Sequence, residues 1–223
     1  MTRWITGVAV AAMLANASPA GAQDAAQVAV DRAVAAYEGM KTLRATFEQT
    51  LTNPLTGSTM HASGEFQRQQ PNLISVRFTD PAGDLIVVDG SAIWMYLPST
   101  NPGQAFKMPM DAAGAMAFDP AQLMRDPGTR FEITDGGSAT IGSRSVRVVK
   151  LAPGSRTEPF TSATLWIDDA DGLIRQFEVV EQTGITRRIR MLTIQPNAVV
   201  QRASFSFTPP RGVQVVDQTG VRG

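Results

Sequence analysis

Residues 73–97 read LISVRFTDPAGDLIVVDGSAIWMYL, and this stretch decides the fold class. Ile74, Val76 and Phe78 alternate with Ser75 and Arg77, the period-two pattern of a strand with one buried face. Asp84–Val88 and Ala92–Leu97 then flank Asp89-Gly90, a hairpin signal because glycine accepts the positive φ of a tight turn. Working outward, strands are expected at Arg44–Asn53 and Met60–Gln69, joined through Asn53-Pro54-Leu55-Thr56-Gly57. Beyond the quoted stretch they are expected at Phe131–Thr134, Val146–Leu151, Ala163–Ile167, Ile174–Val180 and Ile185–Ile194. Asp135-Gly136-Gly137, Asp169–Gly172 and Thr183-Gly184 supply turn chemistry between them. Pro209-Pro210 keeps the tail Phe205–Val216 out of any central strand.

One helix precedes the strands. Val30, Val34, Tyr37 and Leu43, with Ala33 and Met40 between them, recur at helical intervals, and Gly39 weakens the last turn. Pro98–Gly128 reads as irregular and rich in methionine, with a short helix over Ala121–Arg125 capped by Asp119-Pro120. These elements imply an α+β architecture of about ten to eleven strands. It is a strongly curved antiparallel sheet, an open half-barrel, whose concave apolar face is covered by helices.

The chain has 223 residues, 20 basic and 20 acidic side chains, one histidine and no cysteine. Zero net charge argues against nucleic-acid binding, which needs excess cations to displace counterions. The absence of cysteine excludes disulfide scaffolds, thiolate metal sites and a thioether-linked lipid anchor. Arg3, the apolar run Ile5–Ala15 and the small residues Ala20-Gly21-Ala22 read as a secretory signal. Residues 1–22 are therefore expected to be cleaved, and residues 23–223 to form one exported domain.

No catalytic constellation stands out. His61 lies mid-strand and reads as solvent-facing. A carboxylate pair for acid–base chemistry has no marker, because most aspartates sit at turns. Asp168-Asp169-Ala170-Asp171-Gly172 suits a hairpin better than a calcium loop. No glycine-rich phosphate loop is present. No metal and no cofactor are expected, and no enzymatic activity. Met108, Met110, Met116 and Met124 fit either a movable apolar cover or ordinary core filling. Arg187, Arg188 and Arg190 read as a solvated strand face or a surface for an acidic partner.

Gly64-Glu65-Phe66, Pro71-Asn72-Leu73, Val88-Asp89-Gly90 with Trp94 and Tyr96-Leu97-Pro98, and Phe205-Ser206-Phe207-Thr208-Pro209-Pro210-Arg211-Gly212-Val213 resemble, in order and spacing, the LolA family. Phe47-Glu48-Gln49, Ile174–Phe177 and Val180–Gln182 support the likeness. The resemblance implies a periplasmic carrier, a monomer, with triacylated lipoproteins as cargo. It implies an inner-membrane ABC extractor as donor and an outer-membrane acceptor, or direct membrane transfer, as recipient. On this resemblance the acyl-chain groove falls to Phe66, Ile74, Val76, Phe78, Trp94 and Tyr96. The lid falls to Met116, Leu123 and Met124. A Val76→Glu variant is expected to abolish carriage while leaving the sheet folded. The family places an arginine before the Pro-Asn pair to hold the lid shut; here that position is Gln70, with Arg68 as a substitute latch. A carrier or sensor for another amphiphile (free lipid, glycolipid or pigment precursor) is the alternative on the same fold.

Overall fold

The computed structural model describes residues 19–111, 119–155 and 158–220, with side chains from residue 23 onward. Helix α1 spans Pro19–Glu38, and the strands that follow first are β1 (Thr42–Thr52), β2 (Thr59–Gln69), β3 (Leu73–Asp80), β4 (Leu85–Val88), β5 (Ile93–Tyr96) and β6 (Gln104–Met108). A 3-10 turn at Pro120–Gln122 and the short helix α2 (Pro127–Arg130) lead into β7 (Phe131–Ile141), β8 (Arg144–Pro153), β9 (Phe160–Asp168), β10 (Ile174–Glu181) and β11 (Thr186–Pro196). A second 3-10 turn, Arg202–Phe205, precedes β12 (Gln214–Asp217).

All twelve strands form one open sheet in the order β12-β6-β5-β4-β3-β2-β1-β11-β10-β9-β8-β7. Two antiparallel meanders, β1–β6 and β7–β11, are therefore stitched together by the single pairing of β1 with β11. Only β12 runs parallel to its neighbour, β6. The expected α+β half-barrel is the fold found.

Helix α1 lies against β7, β8 and β9. Ala26, Ala29, Val30, Ala33 and Tyr37 fall on one helical face, at i, i+3, i+4, i+7 and i+11, and are buried in the core. The small alanines let the helix approach the sheet closely. At its other side, Gly172 at φ +72° stands where an added Cβ would lie 2.8 Å from the Arg32 carbonyl, so only glycine fits between helix and turn. Arg32 donates to the Asp169 carbonyl there.

The expected cleavage point, Ala22, falls within the helical backbone, and every buried residue described on α1 lies after it. Residues 1–18 lie outside the described residues.

Three expectations need correction. Leu43 belongs to β1 rather than α1, because the helix ends at Glu38 and the Lys41 amide is already bonded to Asn197 Oδ1 across the sheet. Strands β6 and β12 were not expected. Each has only 4–5 residues, too short for alternation to register. Arg187, Arg188 and Arg190 do not share one face. Strand alternation turns Arg187 inward opposite Leu51 and turns the other two outward, where Arg188 pairs with Glu178.

Antiparallel partners point to the same side, so the register sorts residues by face. One face carries Ala45, Phe66, Val76, Ile86 and Met95 in a row across five strands. This inner face joins α1 in the main core. The outer face carries Ser75, Val87, Trp94 and Lys107 in the next row, and Arg77, Leu85, Tyr96 and Ala105 beyond it. The C-terminal segment straps this outer row. Phe207 packs on Trp94 and Tyr96 at centroid distances of 5.8 and 5.5 Å, and Arg77 donates to the Ser204 and Ser206 carbonyls.

Candidate functional site

The inner face is not filled along its whole length. Next to the core lies a cavity of about 340 Å³, walled by Leu51, Met60, Phe78, Ile86, Met95 and Met108. Three of these are methionines from three different strands, flexible side chains that can repack around varied apolar shapes. Met60 is largely exposed at the mouth. Polar groups occur at the rim and are held by neighbours. Arg187 donates to Gln49 Oε1 and Glu181 Oε1, each at 3.0 Å. Asp84 accepts from the Ser99 amide and hydroxyl at 3.0 and 2.6 Å.

Gly64 sits behind Phe78. An added Cβ would meet the Arg77 carbonyl at 2.4 Å, and the register shifts at this point so that Phe78 lies opposite Gly64. Glycine thus lets the Phe47 and Phe78 rings meet edge to face at 5.6 Å. This gives the Gly64-Glu65-Phe66 motif a steric reason.

The expected groove residues divide three ways. Phe78 lines the cavity. Phe66, Ile74 and Val76 occupy the same face but are packed in the closed core, Val76 at 0% exposure. A glutamate at Val76 would therefore bury a carboxylate in the core, and the expectation that the sheet survives it does not hold. Trp94 and Tyr96 do not belong to the groove. They are one residue out of phase with Met95, and so lie on the outer face beneath the C-terminal strap.

A cover segment, residues 119–130, crosses the inner face. Ala121, Leu123 and Met124 are buried in the main core. Met116 lies outside the described residues. Asp119 caps the 3-10 turn, accepting from the Ala121 amide at 3.0 Å, as its position before Pro120 suggested. Its carboxylate also faces Arg68 Nε at 3.3 Å, with side chains only 8% and 1% exposed. Burial pushes the Asp119 carboxyl above its ordinary range, against the opposing pull of Arg68 and the cap hydrogen bonds. Arg68 Nη1 is buried with no hydrogen-bond partner among the described residues. The pair is therefore poorly satisfied.

Among the described residues Gln70 does not reach the cover through a hydrogen bond. Its side-chain amide donates to the Glu38 carbonyl at 3.3 Å, closing the C-terminal end of α1. A second cavity of about 330 Å³ separates it from Arg125 and Asp126. Sequence reading missed Arg130, which ties the cover to a neighbouring connection. Its Nη1 donates to the Gln122 and Arg125 carbonyls at 2.7 and 2.9 Å. Its Nε and Nη2 fork onto Glu158 at 2.8 and 2.9 Å. An arginine in an aperiodic stretch offers no pattern to find it by.

Of the acidic loop, Asp168 accepts from Ala170, Arg144 and Arg175, and Asp171 pairs with Arg175. These carboxylates are committed to arginines and to the turn. Among the described residues no cluster of three or more His, Asp or Glu is arranged to hold a metal. Nor is any helix of the described residues long and apolar enough to cross a membrane.

A family model described as outer membrane lipoprotein carrier protein LolA matches residues 38–208. The outer-membrane lipoprotein carrier protein of Chromobacterium violaceum is 29% identical over 212 residues, covering 95% of each chain. That of Methylibium petroleiphilum is 27% identical over 221 residues, covering 96% of this chain and 97% of its own. In three dimensions, an uncharacterized conserved protein from Thermus thermophilus superposes with a TM-score of 0.55 at 15% identity. It covers 87% of this chain and 99% of its own, and shares the fold.

Proposed function

Because the chain belongs to the LolA family of outer membrane lipoprotein carrier proteins, we propose that it shields lipoprotein acyl chains on their way through the periplasm. The observation that carries this reading is the methionine-walled cavity on the inner face. Each buried methylene gains about 0.8 kcal/mol, so an acyl chain cannot cross water unescorted. An apolar wall without free charge suits that task.

At about 340 Å³ the cavity lies at the small end of ligand sites, which run from about 300 to 1,000 Å³. It accepts part of one chain as it stands. A triacylated cargo needs the cover to move, which brings Leu123 and Met124 to the edge of the site as a lid. Phe66, Ile74 and Val76 then extend the groove from Phe78 inward. The Arg68–Asp119 pair is the latch in this scheme, and Gln70 braces α1 beside it.

Residues 1–22 direct export and are then removed. An inner-membrane ABC extractor loads the carrier and an outer-membrane acceptor or the membrane itself unloads it. Transfer is driven by the acceptor's better site, and the carrier works without catalysis.

The test is native mass spectrometry of residues 23–223 after incubation with lipoprotein-bearing membranes and an active extractor, alongside Met95→Glu. Met95 is half-buried at the cavity, so a charge there spoils the wall without entering the core. A stoichiometric lipoprotein complex with the parent, lost in the variant, is expected. Free lipid without lipoprotein would favour the broader amphiphile carrier. A clean apo mass would refute both.

A further inference from the structure

The two ends of the cover are held unequally. At the Asp119 end, one ion pair of 3.3 Å is sunk in the core, and Arg68 Nη1 has no hydrogen-bond partner among the described residues. Such a pair gains little over its separated state, because desolvation offsets the attraction. At the Arg130 end, one guanidinium makes bonds of 2.7–2.9 Å to two cover carbonyls and to both oxygens of Glu158. Charge-assisted forks of this kind are the strong ones. The Arg130 carbonyl also accepts from the Gly154 amide at 2.9 Å, so the anchor joins the cover to the connection between β8 and β9.

Between the two ends, Asp126 has φ +45°, a left-handed joint separating the 3-10 turn from α2. Its carbonyl accepts from the Thr129 and Arg130 amides, which fixes the α2 side of the joint.

We propose that Arg130 is the positioning residue of the cover, pinning its C-terminal end to Glu158 so that it opens from the Asp119 end about the joint at Asp126. The bonds from Arg130 to Glu158 and to the Arg125 carbonyl persist during opening. The Gln122 carbonyl and the Arg68–Asp119 contact are the ones released. Arg130 thereby sets the direction of opening and returns the cover to register when it closes. This inference rests on the reading of residues 119–130 as a lid over the acyl site, but the motion itself needs no cargo.

The experiment is amide hydrogen exchange on the cargo-free protein. It compares Leu123 and Met124, on the 3-10 side, with Thr129 and Arg130, on the anchored side. In the parent, protection should be at least about tenfold weaker at Leu123 and Met124, the signature of local opening short of global unfolding. Asp119→Asn, which keeps the capping oxygen, should weaken protection on that side only. In Arg130→Gln, protection at Thr129 and at the substituted position should fall to the level of Leu123 and Met124. Glu158→Gln should move the same way, and serves if Arg130→Gln fails to fold. A purely structural role would lower the melting temperature and leave the order of exchange intact, and that result overturns the proposal. Equal protection on both sides in the parent would also overturn it. Binding of fluorescent palmitate is measured in parallel. Failure of the parent to bind it, with the exchange differences between parent and variants as expected, would sink the carrier reading and leave the hinge standing.

Discussion

Asp89 offers a prediction whose size follows from its hydrogen bonds. Its Oδ1 accepts from the Ser91 amide at 2.8 Å, the Ser91 hydroxyl at 2.7 Å and the Ala92 amide at 2.9 Å, and its Oδ2 from Trp94 Nε1 at 2.9 Å. Partial burial alone would raise the carboxyl, but these donors outweigh it and hold it at about 2, against an ordinary 3.8. At 1.36 kcal/mol for each pH unit, the charged form contributes about 2 kcal/mol to stability. The folded value is depressed, so the contribution is complete above the unfolded value. It is lost as pH falls toward 2.

Asp89→Asn removes the charge and keeps one acceptor oxygen. The variant should be about 2 kcal/mol less stable at pH 7, which in urea displaces the midpoint by about 1 M. The deficit should be unchanged at pH 5, smaller at pH 3 and nearly gone at pH 2. Tryptophan fluorescence reports the transition directly, because Trp94 is one of the donors. A deficit of the same size at pH 7 and pH 3 would refute the reasoning, since it would mean that shape rather than charge sets the value of the turn.

Two further outcomes follow from the packing. Gly64→Ala places a methyl group 2.4 Å from the Arg77 carbonyl, and overpacking of this kind costs about 1–3 kcal/mol. For a chain of this size that lowers the melting temperature by roughly 2–4 °C per kcal/mol, and an unchanged melt would refute the steric account. Arg68→Met leaves Asp119 buried without its counter-charge, a loss of roughly 3–5 kcal/mol when the carboxylate stays ionised. The Asp119 carboxyl already stands above its ordinary range through burial. A raised folded value means that protonation relieves the folded state as pH falls, so the deficit should be smaller at pH 5 than at pH 8. Urea midpoints at the two pH values decide it, and equal deficits would contradict it.

The sheet was legible because strand alternation is a local property. Ile74, Val76 and Phe78 announce one buried face, and Asp89-Gly90 announces the turn. Which of two faces a neighbouring strand presents inward depends on register, and register is set across strands rather than along them. That is why Trp94 and Tyr96, groove candidates from a neighbouring strand, lie under the C-terminal strap while Met95 between them walls the cavity. The strap itself carries two phenylalanines, Phe205 and Phe207, and nothing in their spacing says which side of the sheet they will cover. Arg130 escaped notice for a related reason. Its partners are the carbonyls of Gln122 and Arg125 and the carboxylate of Glu158, and only the folded backbone brings these together.

The seam between β1 and β11 joins residues far apart in the chain, as Thr46 and Thr193 do across a separation of 147. Loop closure over such a distance is slow, and nothing rewards it until both meanders exist. Helix α1 precedes the first meander yet lies on strands of the second. The cover comes from the connection between the two. During synthesis, then, the first six strands expose their apolar side with neither roof in place. The chain in its own unfinished form has the same need for shelter as its proposed cargo. Its cavity comes into being only when the last long strand, ending at Pro196, closes the seam.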